Sequence, residues 1–415
     1  MYKERQLKVL NEVKDQSITI IYSGKAPKRT ADQHYEYEVG RNFYYLTGLV
    51  QENSYLVLIK GNHKTSRLLF IEPYDALKAL WVGSGLSFDE AKSLTEVDQV
   101  LSNLTVLDTL SRFLGDSRAA QYGKIESFYF DFHRENTDEL LSYEEFLADK
   151  LKKHYPDINI ETVHPVLNRL RSVKEPNEIE AIKEAIKITD QGIQTMMRHS
   201  KPGMYEYEIE AFYHYTLKKH GVKPSFKTIA GSGLNGTILH YESNNRKTLD
   251  NELILFDLGV DYDVYCSDIS RTFPINGKFT ERQKAYYEIV LECNKKTIEF
   301  LRPGVTNQEW NDYAKKILAE GLIKLGKIQD ENELSKYYYH SIGHFLGLDV
   351  HDVGDYTVPF KEGQILTVEP GLYIADEGIG IRIEDNILLT KDGNINLSKN
   401  IIKEVKDIEA FMATK

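Results

Sequence analysis

Cysteine is scarce in this chain: only Cys266 and Cys293 occur. They form no CxxC pair and no disulfide framework, so the fold needs a core rather than staples, and both read as small buried hydrophobes in a reducing compartment. No run approaches the roughly 18 apolar residues that span a bilayer. The opening MYKERQLKVL mixes charges from its third residue and has no apolar segment, which argues against a secretory signal. Positive charge is in deficit, with a net charge of −11, so nucleic acid is not expected as the main partner. Short-period repeats and low-complexity segments are absent. These absences leave a cytoplasmic, globular protein as the expectation, and 41% hydrophobic with 28% charged residues is ordinary for one.

At 415 residues the chain is long enough for two or three domains. A boundary is expected between His164 and Pro176, where Pro165 and Pro176 flank the polar Arg171-Ser172-Val173-Lys174 in the manner of a linker. Residues 1–165 alternate strand-like runs (17–22, 54–59, 67–71) with helical stretches such as 88–101, a smaller α/β domain. Residues 166–415 read as α+β. One helix starts at Pro176, with a face of Ile179, Ile182, Ile186 and Ile193. A second, bearing Ile209, Tyr213 and Leu217, closes at Gly221. Thr280 with Gln283 and Thr306 with Glu309 are capping boxes that open two more. Strands bearing acids lie between and after these helices, so a helical layer over a curved antiparallel sheet is expected.

The acids carry the chemistry. Asp257 follows the apolar run Leu253-Ile254-Leu255-Phe256, and Asp268 follows a turn around Asp261-Tyr262-Asp263. A hairpin centred between Tyr262 and Asp263 would set the two aspartates opposite each other, with Cβ atoms roughly 5 Å apart. Glu369 ends the strand-like Ile365-Leu366-Thr367-Val368, and Glu384 lies within 379–389. Their spacing again allows opposition, unless Pro370-Gly371 bulges the strand. One acid in such a place is ordinarily a solvated surface group. Four acids directed to one point, with His344 beside them, repel one another unless cations intervene. Two divalent ions balance four carboxylates, which is the composition of a two-metal hydrolytic site.

His340, His344 and His351 fall in HSIGHFLGLDVHD. The glutamate of an HExxH zinc helix is missing, and Gly343 and Gly347 argue against a regular helix, so only His344 is assigned as a ligand. His340 and His351 are nearby supporting or substrate groups, and His240 in ILHYES is a further candidate. Arg382 shares a strand face with Glu384. It either orients the carboxylates through a bidentate contact or makes a plain structural ion pair.

Taken together, LFDLG, CSDIS, SIGHFLG, TVEPGLY and RIEDN resemble the pita-bread metallopeptidases of the methionine aminopeptidase, aminopeptidase P and prolidase group. HYES, GLDVHD and the RNFYYLTG segment near the N-terminus are similar to aminopeptidase P and prolidase in particular. Ser341-Ile342-Gly343, ahead of His344, departs from the short loop of many members.

The resemblance implies a C-terminal pita-bread catalytic domain behind an aminopeptidase P-type N-terminal domain. It implies metal ligands Asp257, Asp268, His344, Glu369 and Glu384, with Asp268 and Glu384 bridging two divalent ions, most expectedly Mn2+, with Co2+, Zn2+ or Fe2+ also suited. Glu369 is implied as general base toward a hydroxide bridging the ions. His351 and His240 steady the developing oxyanion and move a proton, Arg382 supports the site, and His240, His340 and His351 meet the substrate. The implied reaction is removal of an N-terminal residue that precedes proline. Prolidase action on Xaa-Pro dipeptides is the alternative, and a metal-free binding module or amidinohydrolase a more distant one. Short peptides with proline second, and a homo-oligomer (dimer or tetramer), are the implied partners.

Overall fold

The computed structural model describes residues 1–114, 121–134 and 136–414. The chain divides into two compact units, Met1–Leu170 and Arg171–Lys415.

The first unit is built on a six-stranded mixed sheet. Its order is Gln99–Ser102, Thr65–Ile71, Tyr55–Lys60, Ser17–Tyr22, Ser127–Phe130 and Asn159–Thr162. Ser17–Tyr22 runs antiparallel to Tyr55–Lys60 and parallel to Ser127–Phe130. Its central strands are buried on both faces almost from end to end, as strands covered on both sides must be, with Ser17 and Thr19 buried among the isoleucines of the first. The expected helix over 88–101 stops early. A Ser87/Glu90 capping box starts it at Phe88, but it ends at Thr95, Glu96 turns left-handed, and the chain re-enters the sheet at Gln99. Thr95, Val97 and Val100 are β-branched, and pairing with Thr65–Ile71 outweighs continuing the helix.

The segment between His164 and Pro176, read as a polar linker, is itself structured. Helix His164–Ser172 occupies most of it. Within the second unit the Lys174 ammonium lies 2.8 Å from Asp352 Oδ2, and the Arg171 guanidinium 2.6 Å from Asp352 Oδ1. All three side chains are buried. The polar composition of the segment does not show that its charges have a buried partner far along the chain.

Helices in the second unit follow their caps. Pro176–His199 has Pro at its first turn, Glu206–His220 ends on Gly221 at φ 71°, and the Thr280 and Thr306 boxes open Glu281–Phe300 and Asn307–Lys324. The sheet takes the form of several short antiparallel ladders. One has the order Ile229–Ser232, Leu253–Leu258, Ile269–Pro274; another Ile365–Val368, Asp385–Thr390, Gly393–Asn396; a third pairs Gly371–Ile374 with Ile379–Arg382.

Here one register differs from expectation. Tyr262 pairs with Tyr265, so the turn falls on Asp263 and Val264, both left-handed at φ 51° and 67°. Asp257 therefore opposes Ser270 rather than Asp268. The turn is one residue later than the Asp/Gly pattern suggested, since a β-branched valine is a poor candidate for positive φ. That moves the pairing by two positions, which preserves the face: Asp268 lies one alternation before Ser270 and still points with Asp257. The second pair keeps its register. Val368 pairs with Asp385 and Gly371 with Arg382, so Glu369 stands across from Glu384 with no slip at Pro370-Gly371. The ladder simply opens at that point, and both glutamates occupy the gap.

Candidate active site

The two acid-bearing hairpins are stitched together by main-chain and amide bonds. The Glu384 N–H donates to Ser270 O at 3.0 Å, and the Asn386 amide donates to Asp268 O at 2.6 Å. Behind them the fully buried Arg271 pairs with Asp385 at 2.8 Å. The His344 segment joins along its neighbour. Thr367 N–H donates to His344 O, Leu346 N–H to Ile365 O and Glu369 N–H to Ile342 O. Gly343 explains itself in this setting: a Cβ there would lie 2.1 Å from Thr367 O, so glycine permits the close approach. No helix forms over 340–351, in line with the glycines.

Asp268, His344 and Glu384 each present a ligand atom within 4.8 Å of the others. His344 Nε2 lies 3.4 Å from Asp268 and 3.5 Å from Glu369. Its Nδ1 faces Phe345 O at 3.0 Å, which fixes the proton there and leaves the Nε2 lone pair directed at the acids. Asp257 is joined through Ser270, whose hydroxyl lies 3.1 Å from Asp257 and 2.8 Å from Glu384.

The electrostatics point the same way. Burial, then the charges of Asp257 and Glu369, hold Asp268 well above the ordinary carboxylate range. Burial and Asp268 do the same to Glu384, and burial raises Glu369. Asp268 Oδ1 and Glu384 Oε1 are buried without a hydrogen-bond partner. Buried carboxylate oxygens left in this state are costly. Oxygen donors with one imidazole suit a hard or borderline divalent cation, so these residues fit the metal pair that the sequence implied.

Arg382 uses its fork differently from the expected bidentate grip. Nη2 donates to Asp257 at 2.6 Å, Nε to Ser270 Oγ at 2.7 Å and Nη1 to Tyr373 Oη at 3.1 Å. It thus spans three partners and meets one carboxylate once, and Glu384 is reached only through the shared Ser270 hydroxyl. Tyr373 continues the chain to His340 Nε2 at 2.8 Å, and His340 Nδ1 lies 2.7 Å from Ser341 O. Burial and the Arg382 charge push His340 down to about 4. His351, its ring 4.1 Å from that of His344, is also pushed down to about 4, by burial and by His344. A cavity of about 470 Å³ is lined by the four acids, His344, His340 and Arg382, with His240, Ser341, His351 and Tyr356 exposed around it.

Ser270, Thr367 and Tyr373 were missed from sequence. Ser270 shares a strand face with Asp268 and Thr367 with Glu369, so the two-residue period carried a signal for both. Tyr373 gave none, since its partner Arg382 is reached only across the hairpin.

Comparison with known proteins bears on this site directly. The profile of metallopeptidase family M24 matches residues 180–391, and that of the aminopeptidase P N-terminal domain matches residues 2–121. The chain belongs to metallopeptidase family M24 and has the pita-bread catalytic fold. Its N-terminal unit sets it within the aminopeptidase P branch. The chain is 35% identical to the Xaa-Pro aminopeptidase of Escherichia coli, covering 99% of this chain and 97% of that protein. It is 32% identical to that of Haemophilus influenzae, covering 99% and 96%. Among solved structures, an inferred aminopeptidase P from Bacillus anthracis superposes with a TM-score of 0.96 at 43% identity, covering 100% of this chain and 98% of that one. A variant of Escherichia coli aminopeptidase P in complex with substrate gives 0.90 at 32% identity, over 100% and 98%.

Proposed function

We propose that this metallo-exopeptidase removes the N-terminal residue from peptides with proline in second position. Asp257, Asp268, His344, Glu369 and Glu384 would together hold two divalent ions. Mn2+ is the expected metal. When bound, such a pair supplies Lewis acidity and lowers the pKa of coordinated water toward neutrality. The observation that carries the reading is the pair of buried, partnerless oxygens on Asp268 and Glu384 beside the Nε2 of His344.

Glu369, beside the space where the nucleophile and the scissile bond meet, accepts the proton of the attacking water and returns it to the leaving amine. His240 and His351 stand on the open side of the cavity, where a scissile carbonyl gains negative charge. His351 is neutral at pH 7, so it acts as a hydrogen-bonding imidazole rather than as a fixed cation. Both ring nitrogens of His340 are engaged within the protein, so it meets substrate through its ring face. Arg382 holds Asp257 and Ser270 in place and keeps the acids from relaxing apart. An Xaa-Pro bond is a tertiary amide with no N–H and a fixed φ, so a site that brings its own nucleophile and a proton for the ring nitrogen suits it.

Release of the first amino acid from Xaa-Pro-Yaa and from Xaa-Pro, with chelator and with added Mn2+, tests the reading. The tripeptide is expected to turn over faster, and only with metal. Faster turnover of the dipeptide would replace it with prolidase, and turnover in chelator would favour a metal-free relative.

A homo-oligomer in the cytoplasm completes the proposal. Helix Ala76–Val82 buries none of its residues within the chain, and Leu77, Leu80, Trp81 and Val82 are 67%, 85%, 82% and 73% exposed. Apolar surface of this kind marks an association site. Light scattering at micromolar concentration is expected to give a dimer or tetramer, and a monomer would contradict this. Both free cysteines are buried, as suits a reducing compartment, and among the described residues no helix is long and apolar enough to cross a membrane.

A further inference from the structure

His240 rides on the loop between strands Ile229–Ser232 and Leu253–Leu258, and the course of that loop depends on one carboxylate. Glu206, the first residue of helix Glu206–His220, is wholly buried. Its Oε1 accepts from the Ser232 N–H at 2.7 Å, the Ser232 hydroxyl at 2.7 Å and the Asn235 amide at 3.3 Å. Its Oε2 accepts from the Tyr241 hydroxyl at 2.9 Å and the Arg246 N–H at 2.9 Å. Donors on one oxygen precede His240 in the chain, and donors on the other follow it. The carboxylate therefore closes the His240 segment from both ends.

Two further contacts sharpen the geometry. The Glu206 and Tyr207 N–H groups donate to Arg246 O and Asn244 O at 3.0 and 2.8 Å. On the opposite side the loop lies against strand Ile379–Arg382, where a Cβ on Gly380 would fall 1.8 Å from Gly236 O. The segment is held between a fixed wall and a five-donor anchor. Glu206 does not line the metal-binding cavity, and all five of these side-chain contacts go to the segment that delivers His240.

We propose that Glu206 is the positioning residue for His240. It fixes the loop so that the imidazole stands at the reacting carbonyl. This rests on the role given to His240 above.

The test is a double-mutant cycle on Xaa-Pro-Yaa hydrolysis with Glu206→Gln, His240→Ala and the pair. Metal content of each variant is measured, together with hydrogen exchange of residues 233–246 in the metal-free protein. Glu206→Gln is expected to lower kcat/KM by about tenfold, as loss of an orienting partner does. Metal content should stay at the wild-type level, and faster exchange should be confined to 233–246. In the His240→Ala background the same change is expected to cost less than about twofold, because the two residues act as a unit. Equal losses in both backgrounds, or no loss in the wild-type background, would overturn the proposal. A silent His240→Ala would instead remove the role of His240, and the proposal with it. Should Glu206→Gln fail to fold, Tyr241→Phe removes a single donor and enters the same cycle. A loss that disappears in the His240→Ala background supports positioning, and a loss that persists there overturns it.

Discussion

Glu384→Gln is expected to abolish tight metal binding and to lower kcat/KM by about a thousandfold or more, the scale of several kcal/mol of lost transition-state stabilisation. The same variant should make the metal-free protein more stable. In the parent, the Glu384 carboxyl is buried beside Asp268 and held well above its ordinary range. One of its oxygens has no partner. A neutral amide of the same shape removes the repulsion, so the melting temperature in chelator should rise, by roughly 2–4 °C for each kcal/mol relieved. Opposite signs on activity and on metal-free stability separate a functional carboxylate from a structural one. A Glu384→Gln protein that melts lower in chelator while still holding metal would refute this account of the site.

The second large effect is a reversal of pH dependence on loading with metal. Asp268, Glu369 and Glu384 bind protons more tightly folded than unfolded, where their reference values are 3.8 and 4.5. The stability they allow is complete below those reference values and falls as pH climbs through the raised ones. His340 and His351, held down to about 4 from an ordinary 6.5, pull the other way, and their contribution is lost as pH drops below 6.5. Above 6.5 the two histidines no longer contribute to the slope, which raised carboxyls set: those of the cluster, and Glu144, which burial pushes up to about 7. Metal-free protein should therefore lose stability as pH rises above 6.5, and Glu384→Gln should flatten that loss. With saturating Mn2+ the trend should invert, since ligands bind only when deprotonated and binding stabilises the native state. Denaturant melts across this range, with and without metal, provide the check. Parallel slopes in both conditions would mean that the cluster does not bind the metal.

Much of this site was legible because its signals were local. The runs around Asp257 and Glu369 read as strands from apolar content alone, and both are buried strands. Capping boxes named their helices for the same reason. What failed was long-range or atypical. The Asp263-Val264 turn hid its register, because valine does not advertise a left-handed residue. Arg171 and Lys174 read only as polar linker residues, because the Asp352 that neutralises them lies far along the sequence. The partners of Arg382 were left open for a similar reason: strand periodicity tells which face a side chain shares, not which partner across the sheet it reaches. Tyr373 and Glu206 belong to the same class, as groups whose work is visible only when distant segments are brought together.

The most direct test of the central claim is a count of bound ions. Chelator-stripped protein titrated with Mn2+ should take up two ions per chain, and hydrolysis of Xaa-Pro-Yaa should rise in step with occupancy. Saturation with no ion retained, or full hydrolysis in protein that metal analysis finds empty, would contradict it.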